Sequence, residues 1–565
     1  MQRKWSATCA LLISLLFLPG AALATIVAAG PFANPAQWPA AAKVNTFYGN
    51  KDVVLSFGVA QENDFTHVEN TDDFNKNKGH AFSNINQESV FVVIGTLPGQ
   101  WKMLFMLEHE AAFSQGNEGG GSAEIGLERA WVEYKLPWFK TWWVNVGSAI
   151  DAPQLFHTVF LGDNFGVRVF GDLAKNLSWR FGYLKIEENL DAGGIGVGVA
   201  GTFGPDATTG PLAVAGPTGI ANAGNGIGGD NDQDLWYGYL DWRPGKQRLR
   251  PYFLFNRDFT ENCTPAAIGR GCTAPGSPVN EKQLEQVYVG LDGQFKVGPL
   301  NIDASGIYMG GNLEKAGGFD GDLRAFHFYA DVQWPMGKWT PHLGGFFSSG
   351  DDDPTDSDLE GFGEANNLAI VNQDIWGGEH RLIGEAGEPR GLGFFAESTF
   401  TTKFVGPSAR CPAGSPRGFN GQAICKGPKF GAVFNQPGGA VNRDGLGLQN
   451  PGLWGINLGL DYQATKRLFL NTNLTYFSFA EAEDHFSKSL GIRANRLTAA
   501  PSRSTNFDDE IGFEWNIGGT FRQSRNFFID GSFATLIPTS SGVVKQLYGE
   551  DDLAWSVFLE THWRF

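Results

Sequence analysis

The sequence predicts an all-β protein: a single transmembrane antiparallel β-barrel of about 18 strands, with short periplasmic turns and long extracellular loops. Three observations carry that expectation. Segments of roughly ten residues alternate apolar and polar side chains, the period of a strand with two unlike faces. Tight turns join these segments in pairs, and long Gly/Asp/Asn-rich stretches join one pair to the next. Both ends of the chain carry the marks of an exported barrel.

Composition agrees. The 565 residues are 42% hydrophobic and 13% aromatic but only 18% charged, below the roughly 25% usual in soluble domains. Yet past the N-terminus no stretch approaches the ~20 apolar residues of a helical span. A net charge of −17 excludes a general nucleic-acid binder, which needs a basic face. The aromatic content argues against disorder.

The N-terminus reads as a signal peptide over residues 1–24. Arg3 and Lys4 make its positive region, Ala10 to Pro19 its apolar region, and Ala22-Leu23-Ala24 its cleavage site. The mature chain then starts at Thr25. Residues 25–50 are expected as an N-terminal periplasmic or lumenal segment, and 51–565 as the barrel. Export through this signal with a barrel behind it implies the outer membrane of a Gram-negative bacterium. Cys9 leaves with the peptide. The four remaining cysteines fall into two local pairs, Cys263 with Cys272 and Cys411 with Cys425, read as disulfides because an even count in an exported protein favours them.

The hairpins come next. In 322–349, Phe326, Phe328, Ala330, Val332 and Trp334 face one way, His327, Asp331 and Gln333 the other. In 453–480, Trp454, Ile456, Leu458, Leu460 and Tyr462 oppose Asn457 and Asp461. In 509–537, Ile511, Phe513, Trp515 and Ile517 oppose Glu510, Glu514 and Asn516. Similar pairs lie near 89–112, 123–150, 163–188, 233–258 and 283–310. The count of 18 treats 351–452 as one extracellular loop; GLGFFAESTFTTKF at 391–404 could add a strand pair. Trp101, Trp138, Trp142, Trp242, Trp334, Trp339 and Trp563 sit near the short turns or the terminus, as an interfacial aromatic girdle would.

The last strand, DDLAWSVFLETHWRF, sets Leu553, Trp555, Val557, Leu559 and Trp563 against Ala554, Ser556, Glu560, His562 and Arg564. It ends on Phe565. A terminal aromatic strand of this kind resembles the assembly signal of bacterial outer-membrane barrels, which implies recognition of Phe565 by the barrel-assembly machinery.

The inward parity supplies the candidate channel lining: Lys102, Glu108, Arg129, Glu133, Lys135, Arg180, Arg250, Asp303, His327, Asp331, His342, Asp461, Glu514, Asp530, Glu560, His562 and Arg564. The signs are mixed with a small acidic excess, which sets up a transverse field for water and dipolar solutes. Asp351, Asp353, Asp356 and Asp358 in GDDDPTDSDLEGFGE offer oxygen ligands dense enough for calcium, although Pro354 breaks an EF-hand register.

FFSSGDDDPTDSDLEGF at 346–362, after HFYADVQWPMGKWTPHLGG at 327–345, resembles the alginate-export family of outer-membrane porins. ERAWVEYKLP at 128–137 with TWWVNVGSAIDAP at 141–153 is similar to an early hairpin of that family. The resemblance implies an 18-stranded monomeric barrel and, in the alginate exporters, a basic lumen. The acidic excess read here would repel a polyanion.

No catalytic residues are expected. GxSxG, HExxH and Walker patterns are absent, and Gly196 to Gly201 matches GxGxxG only within a Gly-rich loop with no helix after it. His342 and Asp331 lie across one hairpin turn and read as a wall hydrogen bond. The expected function is passage of small hydrophilic solutes, with membrane lipid and the solute as partners and no cofactor beyond calcium. The alternatives are a dedicated exporter or importer of a polysaccharide or hydrophobic compound, and a scaffold enclosing a partner protein.

Overall fold

The computed structural model describes residues 42–48, 51–69, 81–114, 123–151, 153–156, 159–160, 162–188, 232–258, 282–315, 319–353, 356–363, 452–482, 508–524, 526–548 and 551–564. The strands of the first half are β1 (Ala42–Tyr48), β2 (Lys51–Glu69), β3 (Ala81–Leu97), β4 (Trp101–Ser114), β5 (Ala123–Lys135), β6 (Trp143–Asp151), β7 (Gly162–Ala174), β8 (Leu177–Glu188), β9 (Asp232–Trp242) and β10 (Arg248–Asp258). Those of the second half are β11 (Lys282–Val297), β12 (Leu300–Lys315), β13 (Phe319–Gln333), β14 (Trp339–Ser348), β15 (Asp358–Leu359), β16 (Leu453–Gln463), β17 (Leu468–Phe479), β18 (Glu510–Arg522), β19 (Phe527–Pro538) and β20 (Ala554–Arg564). A short helix, α1 (Val543–Tyr548), lies between β19 and β20.

β2–β14 and β16–β20 make a closed antiparallel 18-stranded barrel. Each strand pairs with the next, and β20 returns to β2 from Ala60↔Arg564 to Glu69↔Trp555. Closure leaves no free edge around the ring, which is what a sheet needs where water cannot satisfy its backbone. Tight turns cluster at one end, here the turn end. Four of them place glycine in the left-handed region: Gly99 at φ 72°, Gly245 at 67°, Gly298 at 61° and Gly337 at 67°. The other end carries the long connections; among them the β12–β13 link, residues 316–318, is the short one.

The alternation read from the sequence is the facing of the wall, except at Ile511, which reads as outward but is buried at the β17–β18 register shift. Along β10, Arg250, Tyr252, Leu254, Asn256 and Asp258 are buried, and between them Pro251 and Phe253 are exposed. Leu458, Ile456, Val289, Leu343, Ile517 and Leu559 are exposed outward. A continuous apolar belt of this extent is untenable in water and suits lipid. Trp138, Trp242, Trp334, Trp339 and Trp563 are exposed near the turn end, with Trp339 stacked on Tyr462 at 3.9 Å and Trp563 against Phe527 at 4.0 Å. A bulge between β4 and β5 lets Leu127 face outward while Arg129 faces inward two residues later.

The ring begins at Lys51, and the segment ahead of it adds one strand to the sheet. Residues 42–48, read as preceding the barrel, are strand β1, paired antiparallel to β2 from Ala42↔Phe57 to Tyr48↔Lys51. β2 runs for 19 residues, and β20 covers its edge only from Ala60 upward. β1 takes the remaining edge, which would otherwise present unpaired backbone groups.

β14 pairs directly with β16 from Trp339↔Tyr462 to Ser348↔Leu453, so the wall between them has no place for a further strand pair. The segment 391–404 itself lies outside the described residues. So do the signal peptide, the four cysteines and Phe565.

Candidate channel lumen and constriction

The structure places the predicted lining on the inward face. Arg129, Glu133, Arg250, His327, Asp331, His342, Asp461, Glu514, Asp530, Glu560 and His562 are buried there. Glu108, Lys135, Arg180 and Asp303 occupy inward positions and are half-buried, and Lys102 is more exposed at the turn end of β4. Arg564 is in register with Ala60; its side chain lies outside the described residues.

Ring order separates the charges. The inward face of β4–β10 is rich in cations: Lys102, Arg129, Lys135, Arg168, Arg180, Arg248 and Arg250. The acids on the same strands are mostly engaged by them. Lys102 Nζ lies 2.8 Å from Glu133 Oε1. Asp241 receives Arg243, Arg248 and Arg250 at 2.8, 2.7 and 3.1 Å. Across the ring, β12–β20 contribute Asp303, Asp331, Asp461, Glu514, Asp530 and Glu560. Among the described side chains, Arg522 at the turn end of β18 is the Lys or Arg on that face.

The face of β16–β18 is also an amide surface. Asn457 Nδ2 donates to Thr475 Oγ1 at 2.6 Å, Asn473 Nδ2 to Asn516 Oδ1 at 3.0 Å, and Asn516 Nδ2 to Glu514 Oε1 at 3.3 Å. The Oδ1 atoms of Asn457, Asn471 and Asn473 are buried without a protein hydrogen bond. Such groups cost about 1–3 kcal/mol each when left dry, so this surface is built to meet water or a polar solute.

A loop narrows the interior. β6 is only 9 residues long, so the chain leaves the wall early, at Asp151. Arg168 locks that point. Its Nε donates to Asp151 Oδ1 and Oδ2 at 3.1 and 2.9 Å, and its Nη1 to the carbonyl of Gly147 at 2.6 Å. Tyr237 OH also donates to Asp151. Beyond this hub the chain crosses the interior. Leu155 N–H donates to Asp292 Oδ2 on β11 at 2.6 Å, Asp292 Oδ1 accepts from Ser305 at 2.6 Å, and Arg250 reaches the carbonyl of Gln154 at 3.3 Å. Phe156 packs edge-on against Tyr329 of β13 at 5.5 Å. The loop thus reaches from β6 to β13.

A second loop folds in beside it. After β14, Ser349 N–H donates to Phe326 O at 2.9 Å, and β15 pairs parallel with β13 at Asp322↔Asp358 and Leu323↔Leu359. Tyr288 OH donates to Gly363 O at 3.0 Å, and Phe362 stacks on His327 at 5.3 Å. Val159 and Phe160 of the first loop and Leu359 and Phe362 of the second complete one buried apolar cluster with Leu184, Leu235, Tyr252, Leu254, Tyr288, Met309 and Leu323 of the wall. The β8–β13 side of the interior is therefore packed, and the polar surface lies on the other side.

Of the four aspartates read as calcium ligands, Asp351 and Asp356 accept turn hydrogen bonds. Asp353 N–H donates to Asp351 Oδ1 at 2.9 Å and Asp358 N–H to Asp356 Oδ1 at 2.8 Å, consecutive side-chain turns that shape the return to β13. Burial, with the neighbouring Asp353, Asp358 and Asp352, holds the Asp356 carboxyl above its ordinary pKa. Among the described residues, the group whose ligand atoms converge is Asp530, Glu560 and His562 instead.

The His342 and Asp331 pair does form, with Nδ1 and Oδ1 3.1 Å apart, and Gln333 Nε2 bridges Asp331 and Asp303 at 2.9 Å each. Gly459 of β16 makes room for the ring: a Cβ there would collide with His342 and Asn473. Sequence reasoning missed Arg168, Asp151, Asp241, Arg248 and Asp292. The alternation Val167-Arg168-Val169 could have found the first; nothing local announces that Asp292 awaits a loop 137 residues away.

No family model matches the chain, the alginate-export family included, and no curated protein matches it in sequence. Among solved structures it is similar to Acinetobacter baumannii OccAB2, with a TM-score of 0.45, 11% identity, 90% of this chain and 98% of that chain covered. It is similar to Pseudomonas aeruginosa OccK5 (OpdH), with a TM-score of 0.43, 12% identity and coverages of 90% and 98%. It is also similar to the outer membrane protein opdK of Pseudomonas aeruginosa, with a TM-score of 0.42, 10% identity and coverages of 90% and 98%.

Proposed function

We propose that the chain is an outer-membrane channel of a Gram-negative bacterium that passes small hydrophilic solutes. One observation carries the reading: a closed wall with an apolar outward belt encloses an inward face of charges and amides, narrowed by an inward loop. The belt calls for lipid, and the inward face calls for water. The solute path follows the amide surface of β16–β18, on the acidic side of the ring and away from the packed β8–β13 side. That arrangement favours neutral and zwitterionic molecules over a polyanion such as alginate. A scaffold reading is less well supported, because the chain's own loops already occupy part of the interior. His342 and Asp331 serve as wall residues, tied to Gln333 and Asp303, and no enzymatic role is assigned.

Export by the signal peptide, assembly through Phe565 and loop disulfides Cys263–Cys272 and Cys411–Cys425 belong to the same proposal. N-terminal sequencing of the mature protein then begins at Thr25, and non-reduced peptide mass spectrometry finds both pairs. The central test is the refolded protein in planar bilayers. Discrete conductance steps support the channel; a silent but folded barrel refutes it.

A further inference from the structure

The ring of strands closes beside a convergent set of metal-binding atoms. His562 Nε2 lies 2.9 Å from Glu560 Oε1 and 3.3 Å from Asp530 Oδ2. All three side chains are buried, and their ligand atoms lie within 4.8 Å of one another. Ligands held about 2.0–2.2 Å from a tetrahedral metal sit roughly 3.3–3.5 Å apart, so the His562–Asp530 spacing already matches and the shorter His562–Glu560 contact would open by a few tenths of an ångström on loading.

Charge and orientation point the same way. Two buried carboxylates face one imidazole, so even a protonated ring leaves a net negative charge. The ring stacks on Phe528 with centroids 4.0 Å apart, which sets its plane. Asp530 Oδ1 accepts from the Thr520 hydroxyl, which leaves Oδ2 turned toward His562. Outer contacts that fix ring and carboxylate in this way are typical around metal ligands.

We propose that Asp530, Glu560 and His562 form a three-ligand site for a divalent transition metal of the zinc class. It sits on the inward face near the turn end, where β19, β20 and β2 meet. One nitrogen and two carboxylates suit Zn²⁺, or Mn²⁺ and Fe²⁺ more weakly. Three donors with an imidazole among them do not suit Ca²⁺, which takes 6–8 oxygens. A metal here would tie β19 to β20 beside the seam that closes the barrel. It does not depend on whether the lumen conducts.

The test uses the full mature chain without a histidine tag, refolded in detergent micelles and stripped with EDTA. Calorimetric titration with ZnCl₂ should show one site, with CaCl₂ and MgCl₂ giving no comparable binding. His562→Gln and, separately, Asp530→Asn should each weaken Zn²⁺ binding at least tenfold. Absence of Zn²⁺ binding to the unaltered chain overturns the proposal, and so does equal binding by both folded variants. Should the variants fail to refold, CoCl₂ added to the unaltered chain decides. Visible absorption bands of a low-symmetry nitrogen and oxygen site support the assignment, and the spectrum of hydrated cobalt overturns it.

Discussion

Asp292→Ala is the most direct perturbation of the constriction. It removes the acceptor that holds Leu155 N–H at 2.6 Å, together with the Ser305 hydrogen bond to Asp292 at 2.6 Å between β11 and β12. A hydrogen bond to a charged group contributes about 1.5–3 kcal/mol. The loop keeps its other holds: Arg168 on Asp151, Arg250 on the carbonyls of Pro153 and Gln154, and Phe156 on Tyr329. The loop tip should therefore detach more often without the barrel unfolding. By this magnitude the detached population rises roughly ten- to hundredfold. Single-channel recording is the assay. The variant should show added steps to a larger conductance and more open-channel noise, with a loss of about 1–3 kcal/mol in unfolding from the unpaired Ser305 hydroxyl. Phe156→Ala acts on the same loop from its other contact and should move the recording in the same direction. A folded Asp292→Ala channel with the original conductance and noise would refute the constriction role of residues 153–160.

Three further outcomes are expected. Replacing the outward Ile517 or Leu458 by Arg should cost about 2–4 kcal/mol in urea unfolding from vesicles, since each would carry charge into the hydrocarbon; no loss would mean that the faces are inverted. Reversal potentials under a KCl gradient should show a weak cation preference that fades above physiological salt, where exposed charges are screened beyond about 8 Å. A strong anion preference would reverse the facing assignment and reopen polyanion export. Gly459→Ala should drive His342 off Asp331 and destabilise the barrel by about 1–3 kcal/mol, as overpacking does; unchanged unfolding would show that the ring has room to spare.

Much of the wall was legible in the sequence because strand facing is a local property. Side chains two apart share a face, so Phe326 and Phe328 outside with His327 inside could be read from five residues. Turn chemistry is equally local, and it separated the turn end from the loop end. The strand count followed from these two signals alone. Which side chains point inward followed from the same parity; which of them meet a solute is not a local property.

Three features required the closed ring. Charge segregation depends on which strands stand opposite, and alternation along one strand says nothing of that. β1 joins the sheet because β20 returns from the far end of the chain and leaves part of β2 uncovered. The destinations of the two inward loops depend on partners such as Leu155 and Asp292, brought together only when β6 and β11 become walls of the same barrel. The acidic loop illustrates the limit: its composition offered carboxylates, and only the fold shows Asp351 and Asp356 accepting turn hydrogen bonds and Asp530, Glu560 and His562 converging from two strands. Local periodicity determines which way a strand's side chains point; closure determines what they meet, because contacts across a lumen arise from ring order and not from nearness in sequence.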